Sequence, residues 1–137
     1  MMEPTQPRPI SPADSCTQAW WDATRDERFL LQRCARCAHV QFYPRAICTS
    51  CGATDLLYED ASGRGTIVSF TIVRRAPHPA FTPPYLVALV RLDEGPVTMC
   101  NLVDVAPEDV RCDMAVTMTW EALPDGRKLA LFTPTRT

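Results

Sequence analysis

Alternating hydrophobic and polar positions predict five β-strands in the second half of the chain. These strands are predicted over residues 64–75, 85–92, 97–105, 115–123 and 127–132. Between the third and fourth strands, the segment PEDVRCDM begins with a proline placed for a single helical turn. Five strands with a break after the third have the order and size of a small Greek-key barrel of the OB type.

The first barrel strand is apolar on both of its sides. Strict alternation places Ile67 and Val73 on one face, and Val68, Phe70 and Ile72 on the other. One face is expected to fill the barrel. The other face then needs cover, either from an N-terminal helix or from a partner protein.

A helix is predicted ahead of the barrel, beginning near Asp14 or Ser15 and running through the segment CTQAWWDATRDER. Trp20 and Trp21 are adjacent, so on a helix they point about 100° apart. We expect one indole to pack within its own domain and the other to contact a partner or ligand. The alternative, that both indoles belong to the core, stays open at this stage.

Two Cys-x-x-Cys pairs are the most specific chemical feature of the sequence. Cys34, Cys37, Cys48 and Cys51 are spaced so that each pair forms one knuckle and four thiolates face one another. Such a set suits one tetrahedral Zn²⁺ and leaves no open position for catalysis. Short strands over 29–33, 40–43 and 56–60 complete a predicted zinc-ribbon hairpin, which makes the zinc structural.

Composition and charge narrow the class of protein. The chain has 137 residues, a net charge of -2 and seven cysteines, an odd number that favours metal binding over a disulfide framework. Cys16, Cys100 and Cys112 are then expected to be small, partly buried hydrophobes. No apolar run reaches the about 18 residues of a membrane span, and a cytoplasmic location is the default expectation.

The predicted fold is mainly β, with an N-terminal helix and zinc ribbon followed by a five-stranded OB-fold barrel. Residues 1–14, which contain four prolines, are expected to form a flexible arm. Residues 15–61 would hold the helix and the ribbon, and residues 62–137 the OB-fold domain. The acidic balance argues against a general nucleic-acid binder.

Several stretches carry a resemblance over almost the whole chain: WWDATRDERFLLQRC, the CARC and CTSC knuckles, GRGTIVSFTIV, PHPAFTPPYLVALVRLDEGP and PDGRKLALF. The chain strongly resembles the acyl-CoA-associated OB-fold proteins that carry a rubredoxin-like zinc ribbon. The resemblance implies a non-catalytic subunit that associates with thiolases, sterol-carrier-type thiolases acting as aldolases, acyltransferases or hot-dog hydratases. It also implies that the helix and the OB surface hold acyl-CoA or complete the partner's active site.

The proline-rich loop after the first barrel strand supplies the remaining candidates. Arg74 and Arg75 are expected to meet CoA phosphates or an acidic partner surface, and His78 lies near them in the loop. The alternative is that these are solvated loop residues. Phe81 and Tyr85 flank two prolines and are candidates either for an interface or for internal packing.

The leading functional hypothesis is a zinc-containing accessory subunit of a thiolase-superfamily complex that acts on acyl-CoA in lipid, steroid side-chain or related metabolism. The sequence shows neither a nucleophile elbow nor a glycine-rich phosphate loop, which argues against a self-sufficient enzyme. The alternative hypothesis is a single-stranded nucleic-acid-binding protein, because zinc ribbons joined to OB folds do bind nucleic acid.

Overall fold

A computed structural model of the chain describes residues 7–136. One helix, α1, is followed by eight strands, with a single 3₁₀ turn at Pro107–Asp109. The bounds are α1 Gln18–Thr24, β1 Leu30–Cys34, β2 Val40–Gln41, β3 Leu56–Asp60, β4 Arg64–Val73, β5 Tyr85–Leu92, β6 Val97–Leu102, β7 Ala115–Ala122 and β8 Lys128–Pro134. None of the helices among these residues is long and apolar enough to cross a membrane.

The strands form two sheets. Strands β2, β1 and β3 make a three-stranded antiparallel sheet, which is the ribbon. Strands β4, β5, β6, β8 and β7 close into a barrel in that order, and the 3₁₀ turn lies between β6 and β7 as predicted. The predicted fold class is confirmed, and the predicted division at residues 61–62 falls in the short connection between β3 and β4.

Strand β4 departs from the predicted strict alternation. Its pairing with β5 shifts register between Ile67 and Ser69, which marks a β-bulge. Ile67, Phe70 and Ile72 consequently all belong to the core or pack against it, whereas Val68 is 39% exposed. The prediction that Ile67 faces away from Phe70 and Ile72 is therefore wrong, because the extra residue reverses the facing of every position after it.

Helix α1 is shorter than predicted. The Asp14 carboxylate accepts hydrogen bonds from the backbone N–H groups of Cys16 and Thr17, so it caps a turn that precedes the helix. Both indoles are buried, Trp20 with 4% and Trp21 with 6% of its surface exposed. The expectation that one of them faces outward is corrected, since a seven-residue helix fills the space between ribbon and barrel with both rings.

The predicted flexible arm divides into two parts. Residues 1–6 lie outside the described residues. Residues 7–14 contain no helix or strand, yet Arg8 forms an ion pair with Glu121 of the barrel at 2.6 Å. Ala13 packs against the core. This second part therefore lies against the protein rather than projecting from it.

Candidate metal centre and seam groove

The four predicted metal ligands come together at the tip of the ribbon. Their Sγ atoms all lie within 4.8 Å of one another, with 3.6 Å between Cys34 and Cys51 and between Cys37 and Cys48. A tetrahedral zinc site with Zn–S bonds of about 2.3 Å requires sulfurs about 3.8 Å apart. The spacing fits such an ion and is far too long for a disulfide.

The surroundings of the four sulfurs shift the pKa values of their thiols in different directions. The N–H groups of Cys51 and Ser50 lower the pKa of the Cys48 thiol to about 6, against the effect of burial. The N–H of Ala53 lowers the pKa of Cys51, but the thiol of Cys34 and burial raise it more, to about 11. Four thiolates can coexist here only with a cation among them, so the donor set fits a divalent metal.

Two buried glutamines hold the second knuckle in place. The Gln41 amide accepts a hydrogen bond from the Thr49 N–H at 2.9 Å and donates to the Ile47 carbonyl at 3.1 Å. The Gln32 amide donates to the Arg45 carbonyl at 3.0 Å and accepts from its N–H at 2.9 Å. Strands β1 and β2 therefore fix the position of the second cysteine pair as well as carrying the first.

A groove lies along the line where the barrel closes. Parallel strands β6 and β8 pair only at Leu102 and Phe132, so the strands separate on the side towards Thr98 and Leu129. We call this opening the seam groove. It consists of two adjoining hollows of about 280 and 610 Å³, which share Met99, Leu129 and Ala130 as lining residues.

The smaller hollow is mostly apolar, and Arg8 is the one charged side chain among its described lining residues. Its lining includes Phe81, Tyr85 and Val87 together with Cys100, whose thiol pKa burial raises to about 12. The rings of Phe81 and Tyr85 are stacked with centroids 5.2 Å apart. Asn101 contributes one of the few polar groups. This lining lacks the basic character of a groove for single-stranded nucleic acid.

The larger hollow ends against aromatic side chains. Trp20 and Trp21 meet edge to face at 4.7 Å, and Phe29, Phe42 and Tyr43 surround them. The Trp21 Nε1–H donates to the Tyr43 hydroxyl at 3.0 Å, whereas Trp20 Nε1 is buried without a partner among the described residues. The two predicted interface tryptophans thus line one end of the groove from within the core.

The predicted loop residues are only partly brought together. His78 accepts a hydrogen bond from the Ala80 N–H at Nδ1, and its ring lies 6.4 Å from that of Phe81. Arg74 and Arg75 are exposed, and no ion pair holds either of them within the described part of the chain. Arg74 directly follows Val73, which pairs with Tyr85 in the barrel.

Several groups in this region carry no recognisable sequence signal. Arg8 and Glu121 are separated by 113 positions, and Asn101 lies between them in sequence. The sequence around an isolated polar residue does not show whether its side chain contacts another polar residue far along the chain. Only the aromatic character of Phe42 and Tyr43, at the end of the predicted strand 40–43 and just after the observed β2, would have indicated that something packs there.

A zinc-ribbon unit joined to an OB barrel is the class that the fold and the four sulfurs define. The family model described as the rubredoxin-like zinc ribbon domain of ChsH2 matches residues 21–56, and the model of the ChsH2 C-terminal OB-fold domain matches residues 58–121. A DUF35 domain-containing scaffold protein of Pyrococcus furiosus is 36% identical over 100 residues, 72% of this chain and 74% of that protein. The chain belongs to the DUF35 family.

Two further relatives have more specific names. A probable enoyl-CoA hydratase alpha subunit of Thermomonospora curvata is 36% identical over 129 residues; the match covers 94% of this chain but only 40% of that subunit's length. The solved structure of the Ltp2-ChsH2(DUF35) aldolase contains a chain that superposes with a TM-score of 0.83 at 35% identity. That match covers 93% of this chain and 98% of the other.

Proposed function

We propose that this chain is a zinc-containing accessory subunit of a thiolase-superfamily complex that acts on acyl-CoA. The observation that carries the proposal is the similarity, nearly end to end, to the DUF35 chain of a two-component aldolase. At 35% identity over nearly its whole length, the chain can offer a partner of that kind surfaces in corresponding positions.

The division of labour follows from the chemistry of the side chains. The four-cysteine centre binds one zinc ion that fixes the ribbon and takes no part in the reaction. Cys100, the thiol in the groove wall, stays protonated at neutral pH because burial raises its pKa to about 12. The reacting groups therefore come from the partner, and this chain supplies binding surface.

Two surfaces suit that role. The outward face of β4, β5 and β6 exposes Val68, Leu89, Val97 and Met99, the last with 72% of its surface accessible. Apolar residues grouped on one face mark contact sites between proteins. At the end of β4, unpaired Arg74 and Arg75 remain free to form charge-assisted hydrogen bonds with the phosphates of CoA.

The test is co-expression with a thiolase-like protein from the organism that encodes this chain. We expect a stable complex whose activity is lost when this chain is omitted. Leu89→Asp together with Val97→Asp should abolish co-purification, because two buried charges would oppose docking; neither residue lines the seam groove. The control variant Leu57→Asp, on the ribbon, changes a leucine that is more exposed than Leu89 and should leave the complex intact. A fully active lone partner and no co-purification would refute the proposal.

A hydratase partner is the second candidate, and the Thermomonospora relative favours it. That relative's name includes enoyl-CoA hydratase, and this chain corresponds to less than half of it. Parallel co-expression with a hot-dog hydratase separates the two candidates. Retention of the hydratase and not of the thiolase-like protein would assign the chain to hydration chemistry.

A further inference from the structure

Residues 8–14 form a strap that lies across the seam groove. Arg8 lines the smaller hollow, and Ser11, Pro12 and Asp14 line the larger one. Backbone hydrogen bonds involve Asp14, but within the described part of the chain none involves positions 7–13. The strap is therefore attached through side chains at one end and through the helix cap at the other.

Arg8 makes most of the specific contacts of the strap. Its Nε–H donates to the Glu121 carboxylate of β7 at 2.6 Å, and Nη1–H donates to the Asn101 side-chain oxygen of β6 at 3.1 Å. The guanidinium also lies 5.1 Å from the centroid of the Phe81 ring. With only 22% of its side chain exposed, Arg8 joins two strands and the proline-rich loop at a single point.

The space beneath the strap is too large to be a packing defect. Protein interiors hold few voids bigger than a water molecule, whereas ligand pockets typically occupy about 300–1,000 Å³. The smaller hollow alone has about 280 Å³ and adjoins the larger one. The groove therefore has the size of a ligand site, and its more apolar lining distinguishes it from the hollows of about 350 Å³ elsewhere on the described chain.

The lining defines the chemistry of that occupant. Val87, Ala130 and Leu131 have hydrocarbon side chains, and the polar groups of Arg8 and Asn101 already bind each other. A charged ligand would enter this part of the groove without a partner for its charge, at a large desolvation cost. An unbranched hydrocarbon chain would gain the full benefit of burial.

We propose that the strap closes the seam groove over the hydrocarbon chain of a ligand, and that Arg8 is its latch. The identity of that chain as the acyl group of a thioester rests on the proposed function. Release of residues 8–12 breaks the polar contacts of one side chain, that of Arg8, and no backbone hydrogen bond among the described residues, while Ala13 stays packed against the core. Entry and exit of the ligand are therefore controlled by Arg8, while the barrel stays folded.

The test uses the isolated full-length chain and the hexanoyl, octanoyl and decanoyl thioesters of N-acetylcysteamine. These probes carry the acyl chain without the CoA nucleotide. Affinity should rise about fourfold with each added CH₂ until the groove is filled. The ¹³C signal of the Met99 methyl group, assigned with Met99→Leu, should shift on binding. Equal affinity for all three chain lengths would overturn the proposal.

Variants separate the latch from the groove. Arg8→Gln should increase the dissociation rate of the decanoyl probe at least fivefold, whereas Arg45→Gln, which changes an exposed arginine on the ribbon, should leave it unchanged. Val87→Trp or, if that variant folds poorly, Ala130→Leu should abolish probe binding by filling the groove. Leu89→Trp, two positions further along the same face of β5 but outside the lining of the hollow, should not. An unchanged dissociation rate in Arg8→Gln would refute the latch.

The outcome is independent of the test of the proposed function. Co-purification with a thiolase-like protein depends on the outward surface of the barrel and needs no thioester. If the partner is retained but none of the thioesters binds, the strap proposal fails and the accessory role stands. If thioesters bind with the expected dependence on chain length but no partner is retained, the accessory role fails and the groove stands.

Discussion

The guanidinium carbon of Arg127 lies 4.4 Å from the centre of the Trp21 ring. Arg127 belongs to the turn before β8, whereas Trp21 belongs to α1, so this contact joins the helix to the barrel. Arg127 also donates to the Asp125 carboxylate at 2.6 Å. Arg25 donates to the Asp125 carbonyl at 2.8 Å, which adds a second link between the same two elements.

Replacement of Arg127 by Met should weaken this junction. Arg127 is buried, and the change removes both its stacking on Trp21 and its ion pair. We expect the free energy of unfolding to fall by about 2 kcal/mol, less than for a fully buried pair because the Asp125 side chain is 41% exposed. Urea denaturation measures the loss. Arg45→Met, at an exposed position, should cost almost nothing, and equal losses for the two variants would contradict the prediction.

Asp125 should make stability depend on pH in the acid range. Burial disfavours its charged form, but hydrogen bonds from Arg127 and the charges of Arg127 and Arg25 outweigh this and hold its pKa below the usual 3.8. A lowered pKa stabilises the fold above that value, and the contribution is lost as the pH falls through the folded-state pKa. The difference in melting temperature between wild type and Asp125→Asn should therefore be largest at neutral pH and shrink as the pH falls below the ordinary pKa of 3.8.

A difference that persists undiminished to the lowest pH would show that the effect is steric. Loss of the metal in acid affects both proteins alike, so it cancels in this comparison. Thermal melts followed by tryptophan fluorescence are suitable because Trp21 lies at the junction.

The two tryptophans should respond differently to the same substitution. Trp21→Phe removes a hydrogen bond to the Tyr43 hydroxyl and the stacking of Arg127, whereas Trp20→Phe removes an indole N–H that has no partner. The Trp21 variant should therefore be less stable than the Trp20 variant by about 1 kcal/mol. Chemical denaturation of the matched pair measures the difference. The reverse order would show that shape, rather than hydrogen bonding, dominates the cluster.

The metal centre should depend on each of its four sulfurs. Elemental analysis of the wild-type protein should give one zinc ion per chain. Cys48→Ser should lose the ion and unfold the ribbon, because metal binding supplies folding energy to so small a unit. Cys112→Ser, which changes an exposed cysteine of the barrel, should keep the full metal content. Retention of zinc and stability in Cys48→Ser would show that the ligand set is wrong.

The elements of the fold could be predicted well because their signals are local. The Cys-x-x-Cys spacing indicated the ribbon, and the third ribbon strand and the second barrel strand match their predicted bounds at 56–60 and 85–92. The bulge after Ile67 was missed, since Val68 and Phe70 are equally apolar and only pairing with β5 shows which of them faces inward. Helix α1 was predicted too long because its end depends on tertiary contacts, among them the Lys128 N–H bonded to Thr24 Oγ1.

The site was less accessible to sequence reasoning. The spacing of the four cysteines identifies them as candidate metal ligands. The prolines next to Phe81 and Tyr85 mark these two residues as candidates for packing or an interface. The groove, by contrast, results from the separation of two strands that pair at one position, and Arg8 acquires its role only through contacts with residues about 90 to 110 positions away. Contacts between residues so far apart produce no periodic pattern of hydrophobic and polar residues in the sequence.

The bulge in β4 also has a consequence for how related barrels should be aligned. Ile67 and Phe70 both face the core although three positions separate them, so β4 contains two inward-facing series offset by one residue. Deletion of Val68 would remove the bulge and restore a single alternating series in which Ile67, Phe70 and Ile72 still face inward. In alignments, Ile67 and Phe70 should therefore serve as separate anchors, with any difference in length assigned to the position of Val68.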